Sequence, residues 1–170
     1  MDQLQINLLG GFTVVLNQQP IAKFRSAKSR ALLAYLAAQP DREYARSTLA
    51  TLLWGDLPES AAKTNLRIEL SNLHKLLGEH PSLRIERNSV CFQPAQATVD
   101  VIDFQRSLTT FRALPSEVQR TQLGRLEAAV ETYRGEFLSG FTVADAVEFD
   151  DWRLLVQEQL HEQAMGALNL

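Results

Sequence analysis

Between Pro58 and Gly78, leucines stand at positions 66, 70, 73 and 77, spaced by four, three and four residues. That spacing returns to one side of an α-helix and fits no face of a strand. Pro58 suits the first turn, Glu59 suits the positive end of the helix dipole, and Gly78 suits the stop. The segment predicts a helix over 59–77 with one leucine face to bury. A helix buried on one face shows the other to something else. Here the other face offers Lys63, Thr64, Arg67, Ile68, Ser71, Asn72, His74 and Lys75, with Glu69 as the one acid among them. Such side chains hydrogen-bond phosphates and base edges, and a helix fits the major groove of duplex DNA. A solvated helix face has much the same composition, so the neighbouring elements must decide.

Upstream, Leu4, Ile6 and Leu8 alternate with polar residues, Gly10-Gly11 interrupts, and Phe12 to Leu16 resumes. This predicts a β-hairpin, followed by a turn at Asn17 to Pro20 and a short extended piece around Ile21. The glycine pair is followed by no Gly-Lys-Ser/Thr, so it is not a phosphate loop. From Ser26 the period becomes helical, with Leu32, Leu33, Tyr35 and Leu36 apolar, until Gln39-Pro40-Asp41 ends the run. A second short helix is expected over 46–53, carrying Leu49, Leu52, Leu53 and Trp54 and ending at Gly55. After the third helix, Leu83 to Glu86 and Val90 to Gln93 flank Arg87-Asn88-Ser89 as another hairpin. Three helices followed by a terminal hairpin form the winged helix-turn-helix, whose later helix reads bases.

On that reading the base-reading candidates are Thr64, Arg67, Ile68, Ser71, Asn72 and Lys75. The phosphate candidates are Lys28, Arg30, Lys63, His74, Arg84 and Arg87. Lys23, Arg25, Lys28 and Arg30 stand together at the start of the first helix, where cations oppose the dipole. Either phosphates or surface acids offset them.

A turn rich in Gln and Pro, 93–98, leads to an all-helical remainder. Helices are expected near 103–111, 116–133 and 147–168, and Ser116 with Gln119 fits a capping box. The fold class is therefore mainly α with small β-hairpins, divided into a winged helix at 1–97 and a helical domain at 98–170. Charge follows the same division. Residues 1–97 hold eleven Lys/Arg against eight Asp/Glu, whereas 98–170 hold six against twelve. In the last helix, Trp152, Leu155, Val156, Leu160, Met165 and Leu168 form an apolar stripe. Tetratricopeptide-like hairpins need a neighbour to cover such a stripe. The expectation is that the chain is the N-terminal part of a longer regulator or self-associates through this face.

Enzyme chemistry finds no support. There is no P-loop, no Gly-x-Ser-x-Gly and no His-Glu-x-x-His, since His161-Glu162 is followed by Gln163, Ala164 and Met165. Asp150 and Asp151 are adjacent and do not share a helix face. No catalytic residue, cofactor or metal is expected. Composition, 45% hydrophobic and 22% charged, is that of a globular chain. No apolar run approaches the roughly 18 residues of a membrane span. Met1-Asp2-Gln3 shows no basic signal region, so the expected location is the cytoplasm, away from membranes. The single cysteine, Cys91, sits between Val90 and Phe92 and reads as a packed thiol rather than a redox switch. Trp54 and Trp152 read as core anchors.

Several ordered segments carry a resemblance. Leu8-Leu9-Gly10-Gly11-Phe12, Ser26 to Leu36, Leu52-Leu53-Trp54-Gly55-Asp56, and Asn65-Leu66 to Gly78 resemble the N-terminal region of the SARP family of bacterial transcriptional activators, an OmpR-like winged helix. The second half is similar to the bacterial transcriptional activator domain that follows it. Val99-Asp100-Val101 with Phe104, Tyr133-Arg134-Gly135-Glu136-Phe137-Leu138, and Trp152-Arg153 carry that likeness. The resemblance implies binding to double-stranded DNA through the third helix and wing. It also implies a tetratricopeptide-like domain that helps in dimerisation or contacts RNA polymerase. Two departures stand out. Ala45 and Thr48 replace the usual Ser/Thr cap and acid of the second helix, and the wing turns on Asn88-Ser89-Val90 where Pro-Gly-Gly is usual. The alternative reading is an adaptor module whose winged helix binds proteins, in keeping with a pI of about 5.6.

Overall fold

The computed structural model describes residues 2–169. Strands β1 (Leu4–Asn7), β2 (Thr13–Leu16) and β3 (Gln19–Ile21) form an antiparallel meander. Helix α1 (Ala27–Ala37), strand β4 (Glu43–Ala45), helix α2 (Arg46–Trp54) and helix α3 (Glu59–Leu76) follow. Strands β5 (Leu83–Ile85) and β6 (Ser89–Phe92) make the wing, and β7 (Ala97–Val99) leads into α4 (Asp100–Arg112). Helices α5 (Ser116–Thr121), α6 (Leu123–Thr132) and α7 (Val147–Leu168) complete the chain.

The expected hairpins and first three helices are present, and the leucine face of α3 packs inward. Leu66, Leu70 and Leu73 meet Leu32, Leu33 and Leu36 of α1 and Leu49 and Leu53 of α2 in one continuous core. Two strands were not expected. β4 pairs with β6 across a long sequence separation, Glu43 opposite Cys91, giving a sheet ordered β4-β6-β5. β7 lies parallel to β1, Leu4 opposite Ala97, and completes a sheet ordered β3-β2-β1-β7. The segment expected as a turn at 93–98 thus already contains the start of a strand, and β7 spans the junction placed at 97/98.

In the second half, the single helix expected over 116–133 is broken at Gln122 into α5 and α6. The capping box does not form. Pro115 occupies the cap position, and the Gln119 side-chain amide instead donates to the carbonyls of Phe111, Arg112 and Leu114 at 3.3, 3.4 and 2.9 Å. The Gln119 side chain ties α5 back to the end of α4.

The stripe of α7 also needs correction. Leu160 is buried and Trp152 and Val156 are half-buried, but Leu155 and Leu168 are 55% and 61% exposed and Met165 faces solvent too. The face that packs against α2 and α6 runs through Phe149, Trp152, Val156, Leu160, Ala164 and Ala167. Alanines at 164 and 167 allow close approach, a contribution that residue hydrophobicity understates.

The two halves meet at a seam. Asp100, at the start of α4, accepts hydrogen bonds from the backbone N–H of Leu8 (2.8 Å), Leu9 (2.9 Å) and Val101 (2.8 Å). Beside it, Gly10 N–H donates to Glu136 O at 3.0 Å and Leu138 N–H to Leu8 O at 2.7 Å. A Cβ on Gly135 would lie 2.9 Å from the Gly10 Cα, so only glycine lets these backbones approach. Trp152 packs edge-on against Tyr35 of α1, with ring centroids 4.7 Å apart, and against Phe137 at 5.5 Å.

Candidate nucleic-acid interface

Helix α2 begins directly after β4. Its cap residue Ala45 has extended backbone and no side-chain cap bond, as its identity predicts. The wing supplies what the cap lacks. Arg46 N–H donates to Asn88 O at 3.0 Å, and the Arg46 guanidinium donates to Glu86 O through Nε (3.1 Å) and Nη2 (2.8 Å). One residue therefore fixes the wing tip against the start of α2. The sequence reading missed Arg46, and no local pattern could have found it, because its acceptors lie about forty residues away.

The first half of α3 passes next to this junction. Between them lies a cleft of about 520 Å3 lined by Ala45, Arg46, Ser47, Lys63, Thr64, Leu66, Arg67, Arg87 and Asn88. The fold thus brings together two phosphate candidates, Lys63 and Arg87, with two base-reading candidates, Thr64 and Arg67. Ser71 and Lys75 continue the exposed face along α3, while Ile68, Asn72 and His74 are half-buried beside it. Part of the hydrogen-bonding capacity is already used. Thr64 Oγ1 donates to Ser60 O at 3.0 Å, and Asn72 Nδ2 donates to Ile68 O at 3.0 Å. Lys63 Nζ sits 2.8 Å from Glu59 Oε1 in an exposed pair, which lowers the Glu59 carboxyl pKa. Arg67, Lys75 and Arg87 form no ion pair among the described residues.

Glu69 does not belong to this face. It is only 6% exposed and turns toward α1, where Ser26 Oγ donates to its Oε1 at 3.1 Å and Arg25 Nε lies 3.6 Å away. Ser26 is itself the cap of α1, accepting from Ser29 N–H at 3.1 Å. The carboxylate supplies the negative charge that the first turn of α1 lacks, and part of the cationic cluster at 23–30 is offset from within the fold.

Besides His74, three phosphate candidates lie outside the cleft. Lys28 Nζ stands over the Trp54 ring at 5.5 Å. The Arg30 guanidinium lies 5.6 Å from the Phe24 ring and lines a different groove. Arg84 pairs with Glu86 at 3.3 Å. Cys91 is buried, and burial pushes its thiol pKa up, as a packed thiol requires. Trp54 is buried beside the leucines of α2. No helix among the described residues is long and apolar enough to cross a membrane.

No protein-family model matches the chain. Over 76 residues, 45% of its length, it is 34% identical to the transcriptional regulatory protein EmbR of Mycobacterium bovis, and equally so to that of Mycobacterium tuberculosis. The match spans 19% of the length of these relatives. The fold is similar to that of Mycobacterium tuberculosis EmbR solved in complex with a low affinity phosphopeptide, with a TM-score of 0.78 and 24% identity. That likeness covers 96% of this chain and 44% of the solved one. Over its matched segment the chain is thus similar in sequence to a transcriptional regulatory protein, and its fold, a winged helix followed by a helical unit, is similar to that of the solved EmbR chain.

Proposed function

We propose that the chain is a sequence-specific DNA-binding regulator of transcription, with α3 in the major groove and the wing on the adjacent backbone. One observation carries the reading. With Glu69 turned inward, the face from Lys63 to Lys75 is free of acids and meets Arg46 and Arg87 across one cleft. A cleft in which Arg67 and Arg87 have no carboxylate partner among the described residues, beside a helix of groove width, suits duplex DNA. Arg67 is the leading base-reading residue, with Thr64, Ile68, Ser71, Asn72 and Lys75 as further contacts. Lys63 and Arg87 hold phosphates. The working division is a winged helix at 1–97 and a helical domain at 98–170. The resemblance assigns that second domain to activation, through dimerisation or contact with RNA polymerase in the bacterial cytoplasm.

The test is binding to the DNA upstream of the protein's own operon, followed by fluorescence anisotropy over a salt series. Affinity should fall steeply and linearly on logarithmic axes as counterions are released. The adaptor reading, in which the winged helix serves proteins, instead expects no salt-dependent affinity for duplex DNA.

A further inference from the structure

Away from the cleft, Phe12, Phe24 and Phe141 surround a groove of about 570 Å3, with Ile21 on its wall and Ser139 beside Phe141. The Phe12 ring lies 5.4 Å from Phe24 and 5.9 Å from Phe141, centroid to centroid. Among the described residues, Arg30 is the one charged side chain lining it. It is half-buried, stacks on Phe24 and forms no ion pair among the described residues. A guanidinium partly withdrawn from water against aromatic walls has lost hydration without gaining a counter-charge. Charge complementarity therefore calls for an anion, and the three rings call for a flat apolar body.

The neighbouring strand edge argues against an extended peptide. β3 is at the edge of its sheet, but Pro20 at its centre has no N–H to donate to an added strand. The volume falls within the roughly 300–1,000 Å3 of small-molecule pockets. We infer that this groove binds a small planar aromatic carboxylate, its carboxylate forked on Arg30 and its ring against the wall that the three phenylalanines form. Residues 12–24 and 139–141 come from the two halves of the chain, so an occupant adds contact across their junction. The inference is independent of DNA binding.

The probe is 2-naphthoate, compared with neutral 2-naphthamide, each titrated into the full chain by calorimetry and by amide NMR. The acid should bind saturably and at least about tenfold tighter than the amide, the difference made by a charge-assisted bidentate pair. Shifts should concentrate in β2, β3 and 139–141. Arg30→Gln should remove the preference for the acid, and Arg30→Lys should keep part of it. Equal binding of acid and amide, shifts centred elsewhere, an unchanged preference in Arg30→Gln, or no saturation at about millimolar concentration would overturn the assignment. Should Arg30→Gln fail to fold, the acid-to-amide ratio and shift map of the unsubstituted chain still decide.

Discussion

The seam around Asp100 and the cleft beneath α3 both gather charge, and they treat it in opposite ways. At the seam a buried carboxylate is surrounded by donors from the chain itself, with three backbone N–H groups at 2.8–2.9 Å and Arg134 at 3.5 Å. Burial holds the Asp100 carboxyl pKa above the usual carboxylate range, and those donors offset that rise only in part. In the cleft, Arg67 and Arg87 find no carboxylate among the described residues: of the two acids on α3, Glu59 pairs with Lys63 and Glu69 is turned away into the core. Charge that is satisfied internally holds the fold together. Charge left without a protein partner on the surface is hydrated and stays available to an outside one.

Substitutions should separate the two regions by what they change. Asp100→Ala leaves the Leu8 and Leu9 N–H groups buried without an acceptor, at roughly 1–3 kcal/mol each. Urea unfolding should show the largest loss of the set, about 2–6 kcal/mol in total, while any folded fraction keeps its DNA affinity. Wild-type stability would mean the seam is not what joins the halves. Gly135→Ala drives a methyl against the Gly10 backbone and should cost about 1–3 kcal/mol by the same measurement.

The cleft should respond in the reverse sense. Arg67→Ala should weaken a specific site by about 1–3 kcal/mol if the guanidinium forks onto a guanine. Being exposed, it should move unfolding by no more than about 0.5 kcal/mol. Retained affinity on both specific and random DNA would remove Arg67 from the interface. Arg87→Ala should weaken all duplexes alike and lower the salt slope by about one. A change in the preferred sequence would instead make the wing a reader of bases.

The smallest effect belongs to Tyr44, a seam-like residue in the wing sheet. Its hydroxyl is buried without a hydrogen-bond partner among the described residues, and burial raises its pKa from 10.0 to about 12. Below pH 10 the group is neutral in both folded and unfolded chains, so its contribution is constant. Between pH 10 and about 12 the unfolded chain ionises first, and stability falls as pH rises. Tyr44→Phe should leave stability at neutral pH unchanged or somewhat higher and remove that one alkaline loss. A tyrosinate absorbance titration in which every tyrosine ionises near 10 would contradict this.

Much of this was legible in local periodicity. The leucine spacing placed α3, and the alternation around Gly10-Gly11 placed β1 and β2. What escaped depends on distant partners. β4 and β7 are three-residue strands defined by Cys91 and Leu4, far away in the chain. Arg46 is defined by wing carbonyls. Glu69 is a different case. It lies three residues after Leu66 and four before Leu73, squarely on the leucine face, and its charge alone suggested the opposite side. The ordered segments 8–12 and 133–138 were visible separately, but their meeting across two glycines needed three dimensions.

The most direct test compares duplex-DNA affinity across a salt series for the unsubstituted chain and the double variant Arg67→Ala, Arg87→Ala. The account predicts a steep logarithmic slope for the former and, for the latter, one shallower by about one together with a lost preference for the specific site, with unchanged thermal unfolding. Equal slopes, or no salt dependence in either, would contradict the assignment of the α3–wing cleft as the DNA-binding surface.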